Sequence, residues 1–185
     1  MPLVWWVGVS LFGAKRMFFC LLSMLAATAS LAGILGATDE DPDAKPWVEG
    51  GVEFPAFPEA SGLIEFRVGW RSDVRFFVDG ATISVGGDEV IRYVLVVVSA
   101  RGAKTISYEG MRCETAERRA YAFGRADGSW SKSRSDRWVP IRGDSNNHYV
   151  ELYASYFCTN GQPQIMTPEA ARRVLSKGGN QTSGF

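Results

Sequence analysis

The run VIRYVLVVV, Val90–Val98, constrains this chain more than any other stretch. It is apolar at nearly every position on both parities, and Arg92 is its only charge. A strand with that pattern needs cover on both faces, so it belongs in the middle of a sheet. Its neighbours read as strands too. Arg75–Asp79 (RFFVD) precedes a turn at Asp79–Gly80 and a strand over residues 82–85, and Gly86, Gly87 and Asp88 predict a tight hairpin with positive φ supplied by glycine. A second hairpin at Ala100, Arg101 and Gly102 leads into a strand over 104–111, and residues 119–123 return toward a turn at Ala126, Asp127 and Gly128. Connections this short make antiparallel neighbours, because parallel pairing needs a long crossover. Upstream, Ile64, Phe66, Val68 and Trp70 alternate with Glu65, Arg67 and Arg71, the period of a half-buried strand.

The chain after this block supplies the remaining cover. Residues 149–157 read as a final strand, with Val150, Leu152 and Ala154 on one face. Thr167, Pro168 and Glu169 are a helix start: a capping hydroxyl, a proline at the first helical position and an early acid. Ala170, Ala171, Val174 and Leu175 form its apolar stripe, and Gly178 and Gly179 end it. The expected fold is therefore β-rich α+β: a single antiparallel β-meander sheet with one C-terminal helix packed on it.

The expected organisation has four parts: a signal peptide or membrane anchor over 1–37, an acidic and Pro-rich lead-in over 38–60, one β-rich domain over 61–179, and a disordered tail over 180–185. Lys15 and Arg16 stand ahead of FFCLLSMLAATASLAGILGA, a charge-free run with small residues at Ala27 to Ala29 and at Gly36–Ala37, the pattern of an export signal. Uncleaved, the same run is about long enough to anchor in a bilayer. Residues 38–47 (TDEDPDAKPW) read as a disordered spacer, and 54–58 (FPAFP) as an extended segment lying on the domain.

Export bears on the cysteines. Cys20 lacks the small preceding residue of a lipoprotein signal. Cys113 and Cys158 predict a disulfide in an oxidising compartment, enclosing 44 residues; loop entropy assigns such a bridge on the order of 4 kcal/mol. The alternatives are two buried free thiols or a metal pair, the latter with one His and no Cys-x-x-Cys to support it.

In order along the chain, RFFVD (Arg75–Asp79), VIRYVLVV (90–97), YEGMRC (108–113), YAFGRADGSW (121–130) and YFC (156–158) resemble the cryptic neisserial protein family. The similarity runs from about Trp47 to Gly178. It implies an exported envelope domain of proteobacteria, in a family whose function is uncharacterised, and it brings no catalytic residue.

The strongest chemical signal is residues 118–142. Arg118, Arg119, Arg125, Lys132, Arg134, Arg137 and Arg142 stand against Asp127 and Asp136, a local excess of seven over two, with Trp130 and Trp138 interleaved. Guanidinium groups beside aromatic faces suit phosphate or carboxylate ligands. The whole chain, with 20 basic and 20 acidic residues, carries no charge that argues for nucleic acid, and loss of Lys15 and Arg16 leaves 18 against 20. The candidate ligand-binding residues are Arg125, Trp130, Lys132, Arg134, Arg137 and Trp138; the structural counterpart is a solvated loop with both tryptophans in the core. His148, the single histidine, carries any His-based acid–base scheme, with Asp144 and Ser145 close in sequence, but reads as a core-edge residue. Asp79 and Asp88 read as turn residues, and Glu109 as one half of a cross-strand ion pair with Arg112 or an arginine of the next strand.

These signals predict a periplasmic protein, or one anchored and facing the periplasm. It would be a non-catalytic module binding an anionic envelope component or a partner protein, with no cofactor, no metal, no nucleic acid, and contact with the membrane only through an uncleaved N-terminal segment. A hydrolase using His148 with a carboxylate is the alternative, and an assembly role through a sheet edge is a third.

Overall fold

The computed structural model describes residues 45–69, 73–143 and 147–179. The expected signal at 1–37, the tail, Trp70, Asp144 and Ser145 lie outside the described residues. A 3-10 turn (Ala60–Gly62) leads into β1 (Leu63–Phe66), β2 (Arg75–Asp79), β3 (Ser84–Val85), β4 (Val90–Val98), β5 (Lys104–Arg112), β6 (Glu117–Gly124), β7 (Trp130–Lys132) and β8 (Val139–Pro140). These eight form one sheet in the order β1-β2-β4-β5-β6-β7, with β3 also beside β4 and β8 also beside β6, and every pairing is antiparallel. β4 is central: it pairs with β5 from Val90↔Arg112 to Val98↔Lys104, and with β2 and β3 on its other edge. Helix α1 (Asn147–Glu151) continues as a π-helical segment (Leu152–Phe157). The hairpin β9 (Cys158–Thr159) and β10 (Gln162–Pro163) follows, and then α2 (Pro168–Ser176).

The two parities of β4 face different covers. Ile91, Tyr93 and Leu95 join Phe76, Val78 and Met111 against Tyr149, Leu152, Tyr156, Phe157, Ile165, Ala171 and Leu175 from the helical side. Burying each large apolar side chain contributes about 1.5–3 kcal/mol, so this is the main core. Val94 and Val96 join Tyr108, Tyr121 and Ala122 on the opposite face, packed by Val52, Ile106 and Trp130. The cover there is a strap, residues 46–58, with no helix or strand of its own. Phe54 meets Tyr108 at 6.3 Å between ring centroids and Phe57 meets Trp130 at 5.3 Å. The Trp130 indole N–H donates to the Pro55 carbonyl at 2.9 Å.

Several expectations are corrected. Residues 149–157 are helical, not a strand. Tyr149, Leu152 and Tyr156 are buried at spacings of three and four while Ala154 is exposed, so the helical period decides. Two helices and a small second sheet therefore stand where one helix was expected. The turn after β3 takes its positive φ from Glu89 (61°), not from Gly86 or Gly87. Gly86 is small for another reason: a Cβ there would lie 2.2 Å from Asp88 Oδ1 and 2.7 Å from Arg92 Nη1. Trp47, assigned to a disordered spacer, packs edge-on to Trp138 and under the Arg112 guanidinium, 3.8 Å from its ring centroid. Among the described residues, the strands expected at 64–70 and 82–85 are limited to β1 and β3.

Other features stand as read. Thr167 caps α2, its hydroxyl accepting from the Ala170 amide at 3.2 Å. Asp79 accepts from the Ala81 amide within its own turn. Gly102 and Gly128 supply positive φ in their hairpins. Cys113 and Cys158 form a disulfide with Cα atoms 5.5 Å apart, tying the end of β5 to the start of β9.

Candidate functional site

The basic stretch divides in two. Arg118 lies over the Tyr149 ring, 3.8 Å from its centroid, and Arg119 pairs with Glu49 of the strap. Arg125, Lys132, Arg134 and Arg137 are exposed along the β6–β7 hairpin and the segment that follows it. Among the described residues none of these four enters an ion pair. Arg125 donates to the Ser131 hydroxyl at 3.2 Å, and the nearby Asp127 accepts from both the amide and the hydroxyl of Ser129. Trp130 and Trp138 are half-buried and engaged by the strap, Trp130 through Phe57 and Pro55, Trp138 through Trp47.

A second charged cluster lies beneath the strap. Arg92, on the strap-facing parity of β4, donates to both Asp88 carboxylate oxygens at 3.0 and 2.6 Å. Glu49 Oε1 stands 4.0 Å from Arg92 Nη2 and accepts from the Tyr121 hydroxyl at 2.6 Å, while its other oxygen accepts from Arg119. The Gly50 amide donates to Asp88 at 2.7 Å, and the Trp47 indole N–H donates to the Asp88 carbonyl at 3.0 Å. Burial pushes the Asp88 carboxyl up, but the hydrogen bonds from Arg92, Gly50 and Val90 outweigh it and bring its pKa down to about 2.

Tyr121 reaches Glu49 because of a bulge. Tyr108 pairs with Ala122 and Glu109 with Ala120, which leaves Tyr121 as the extra residue of β6. Such a bulge re-aims a side chain. Its ring lies across Gly110, where a Cβ would come within 2.3 Å of the phenol oxygen.

The opposite face holds a buried carboxyl. Glu109 accepts from Ser107 Oγ at 2.6 Å, Tyr149 at 2.9 Å and Tyr93 at 3.4 Å. Burial raises its pKa, partly offset by those donors and by Arg118. The expected ion pair with Arg112 is absent, because the two residues lie on opposite parities. Arg112 instead sits between Trp47 and the carboxylates of Glu114 and Glu117. His148, expected to open a strand, sits on α1, with its ring stacked on Phe76 at 4.8 Å and tilted against Tyr149 at 4.0 Å. Burial, with a smaller effect of Arg118, lowers its pKa to about 4, so it is neutral at physiological pH.

The strap-side cluster escaped the sequence reading, although Arg92 alone in an apolar strand was its signal: a buried charge needs a partner. Among the described residues no three His, Cys, Asp or Glu side chains gather as metal ligands, and no helix is long and apolar enough to cross a membrane. The model of one family, described as the CNP1-like family, matches residues 42–175. No curated protein and no solved structure matches the chain.

Proposed function

The chain belongs to the CNP1-like family, and on that premise we propose a non-catalytic module of the cell envelope that binds an anionic envelope component or a partner protein. The observation that carries the reading is the row Arg125, Lys132, Arg134 and Arg137, four exposed cations that enter no ion pair among the described residues. Neighbouring Arg118 and Arg119 are held by Tyr149 and Glu49. Guanidinium groups left open to solvent can take phosphate or carboxylate oxygens bidentately, which makes Arg the favoured residue for such ligands. Trp130 and Trp138 act in this reading as the strap's anchors, and they hold the hairpin that presents the cations. Export, and a periplasmic or periplasm-facing location, rests on the apolar run that follows Lys15 and Arg16.

Replacing Arg125, Lys132, Arg134 and Arg137 together with Ala is expected to abolish retention on envelope polymers while leaving the melting temperature nearly unchanged. Retention equal to that of the parent protein rejects the reading. The hydrolase reading has its own observation, since Tyr149 touches His148 and bonds to Glu109. Any hydrolytic activity that survives His148→Ala removes it, because no second histidine can substitute.

A further inference from the structure

Beneath the strap, donors outnumber the acceptors offered to them. The Arg92 side chain is 7% exposed, and its Nε is buried without a hydrogen-bond partner; the Nε of Arg119 is in the same condition. A buried guanidinium N–H left unpaired has lost its hydration without a replacement, so the pairing of Glu49 with these arginines is incomplete. Glu49 is a planar carboxylate with two oxygens, one used by Arg119 and the other shared between Tyr121 and a distant Arg92. With Asp88 neutralising one arginine, removal of Glu49 leaves a net positive, tyrosine-lined cradle.

We propose that Arg92, Arg119 and Tyr121 form a binding site for a phosphoryl group, held closed in the free protein by Glu49 of the strap. A tetrahedral oxyanion brings more acceptor oxygens than a carboxylate and matches the forked donors of two arginines. The strap is suited to leaving. It has no helix or strand, most of its residues are at least partly exposed, and it is fastened at separate points: Trp47, Glu49, Gly50, Pro55 and Phe57. Segments with few buried contacts open at small free-energy cost. A ligand must displace Glu49 before it binds, so its apparent affinity is reduced by the fraction of molecules with the strap open. This site is separate from the cationic row on the β6–β7 hairpin.

The test titrates the full chain with inorganic phosphate, and in parallel with acetate, at constant ionic strength. Glu49→Ala is expected to tighten phosphate binding at least about tenfold by removing the competing carboxylate. Adding Arg119→Ala to that variant should erase the gain, whereas adding the four Ala substitutions at Arg125, Lys132, Arg134 and Arg137 should leave it intact. An acetate gain equal to the phosphate gain overturns the ligand class. No gain with either anion in a folded Glu49→Ala protein overturns the site. Should Glu49→Ala fail to fold, the parent protein decides: saturating phosphate is expected to speed hydrogen exchange of the Gly50 amide, and unchanged exchange overturns the proposal.

Discussion

On one face of β4 the helical segment places Leu152, Tyr156 and Phe157 against Tyr93 and Leu95; on the other the strap places Glu49, Val52 and Phe54 against Arg92, Val94 and Tyr108. The helical cover satisfies its own backbone and is stapled to β5 through Cys113–Cys158. The strap depends on side chains for its attachment, through ion pairs, ring edges and the Pro55 carbonyl. The same strand thus carries a core on one side and a latch on the other. Apolar burial scales with area and does not itself depend on protonation. A charged latch depends on protonation and on competing ions.

The sharpest way to break that contrast is a pair of truncations. Phe157→Ala empties a fully buried position against Tyr93 and is expected to cost about 3–5 kcal/mol in urea denaturation. Trp47→Ala removes an anchor that is 38% exposed, with one indole hydrogen bond, an edge-on contact to Trp138 and the Arg112 contact, and should cost only about 1–2 kcal/mol. Equal costs would mean that the strap is core.

Next is Gly110→Ala. The new Cβ would stand 2.3 Å from the Tyr121 oxygen and 2.8 Å from its ring, so the tyrosine must leave Glu49. A cost of roughly 1–3 kcal/mol is expected from the forced displacement. In a Tyr121→Ala background the same substitution should be close to neutral, because the obstructing ring is gone. A cost that persists there would place the strain elsewhere in the β5–β6 bulge.

The two faces were unequally legible in the sequence. β4, β2 and β5 could be read from alternation and apolar runs because sheet pairing imposes period two on long strands. α2 could be read from Thr167, Pro168 and the closing glycines. Residues 149–157 misled because Val150, Leu152 and Ala154 alternate by coincidence, while the deciding residues, Tyr149, Leu152 and Tyr156, stand at helical spacing and meet partners far away in the chain, such as Glu109 of β5 and Phe66 of β1. The strap-side cluster is less legible still. Glu49 meets Arg119 and Tyr121 across 70 and 72 residues, and the meeting depends on a bulge and on a glycine that carries no periodic signal. The exposed cations Arg125, Lys132, Arg134 and Arg137 were visible as a charge excess; the engagement of Trp130 and Trp138 by the strap was not.

pH separates the faces further. His148, half-buried against Phe76, has its pKa lowered from 6.5 to about 4 by burial and Arg118. Between those values the unfolded chain binds the proton and the folded protein does not, so stability is complete above pH 6.5 and falls as pH drops toward 4. After discounting for its partly exposed ring, the loss is roughly 2 kcal/mol. Glu109, whose pKa burial raises, contributes with the opposite sign, since across the interval of that rise the folded form binds more protons than the unfolded chain. Denaturation curves of the parent and His148→Phe, both in a Glu109→Gln background, isolate the first effect. A difference between them that does not vary with pH between 6.5 and 4 would refute it.

The smallest effect belongs to the latch. Asp88 titrates near 2 rather than 3.8 because, against the cost of its burial, it accepts from Arg92, Gly50 and Val90. Its contribution is present above pH 3.8 and is lost as pH falls toward 2. Its size is about 1–2 kcal/mol, and the loss is local: protonation frees the Gly50 amide and loosens Arg92 while the helical core remains packed. Exchange of the Gly50 amide should therefore accelerate across that window, after correction for the intrinsic rate, before the amides of β4 respond. Asp88→Asn should show the fast rate already at neutral pH. If Gly50 and the β4 amides lose protection together, the strap and the core unfold as one unit, and the contrast between latch and core fails.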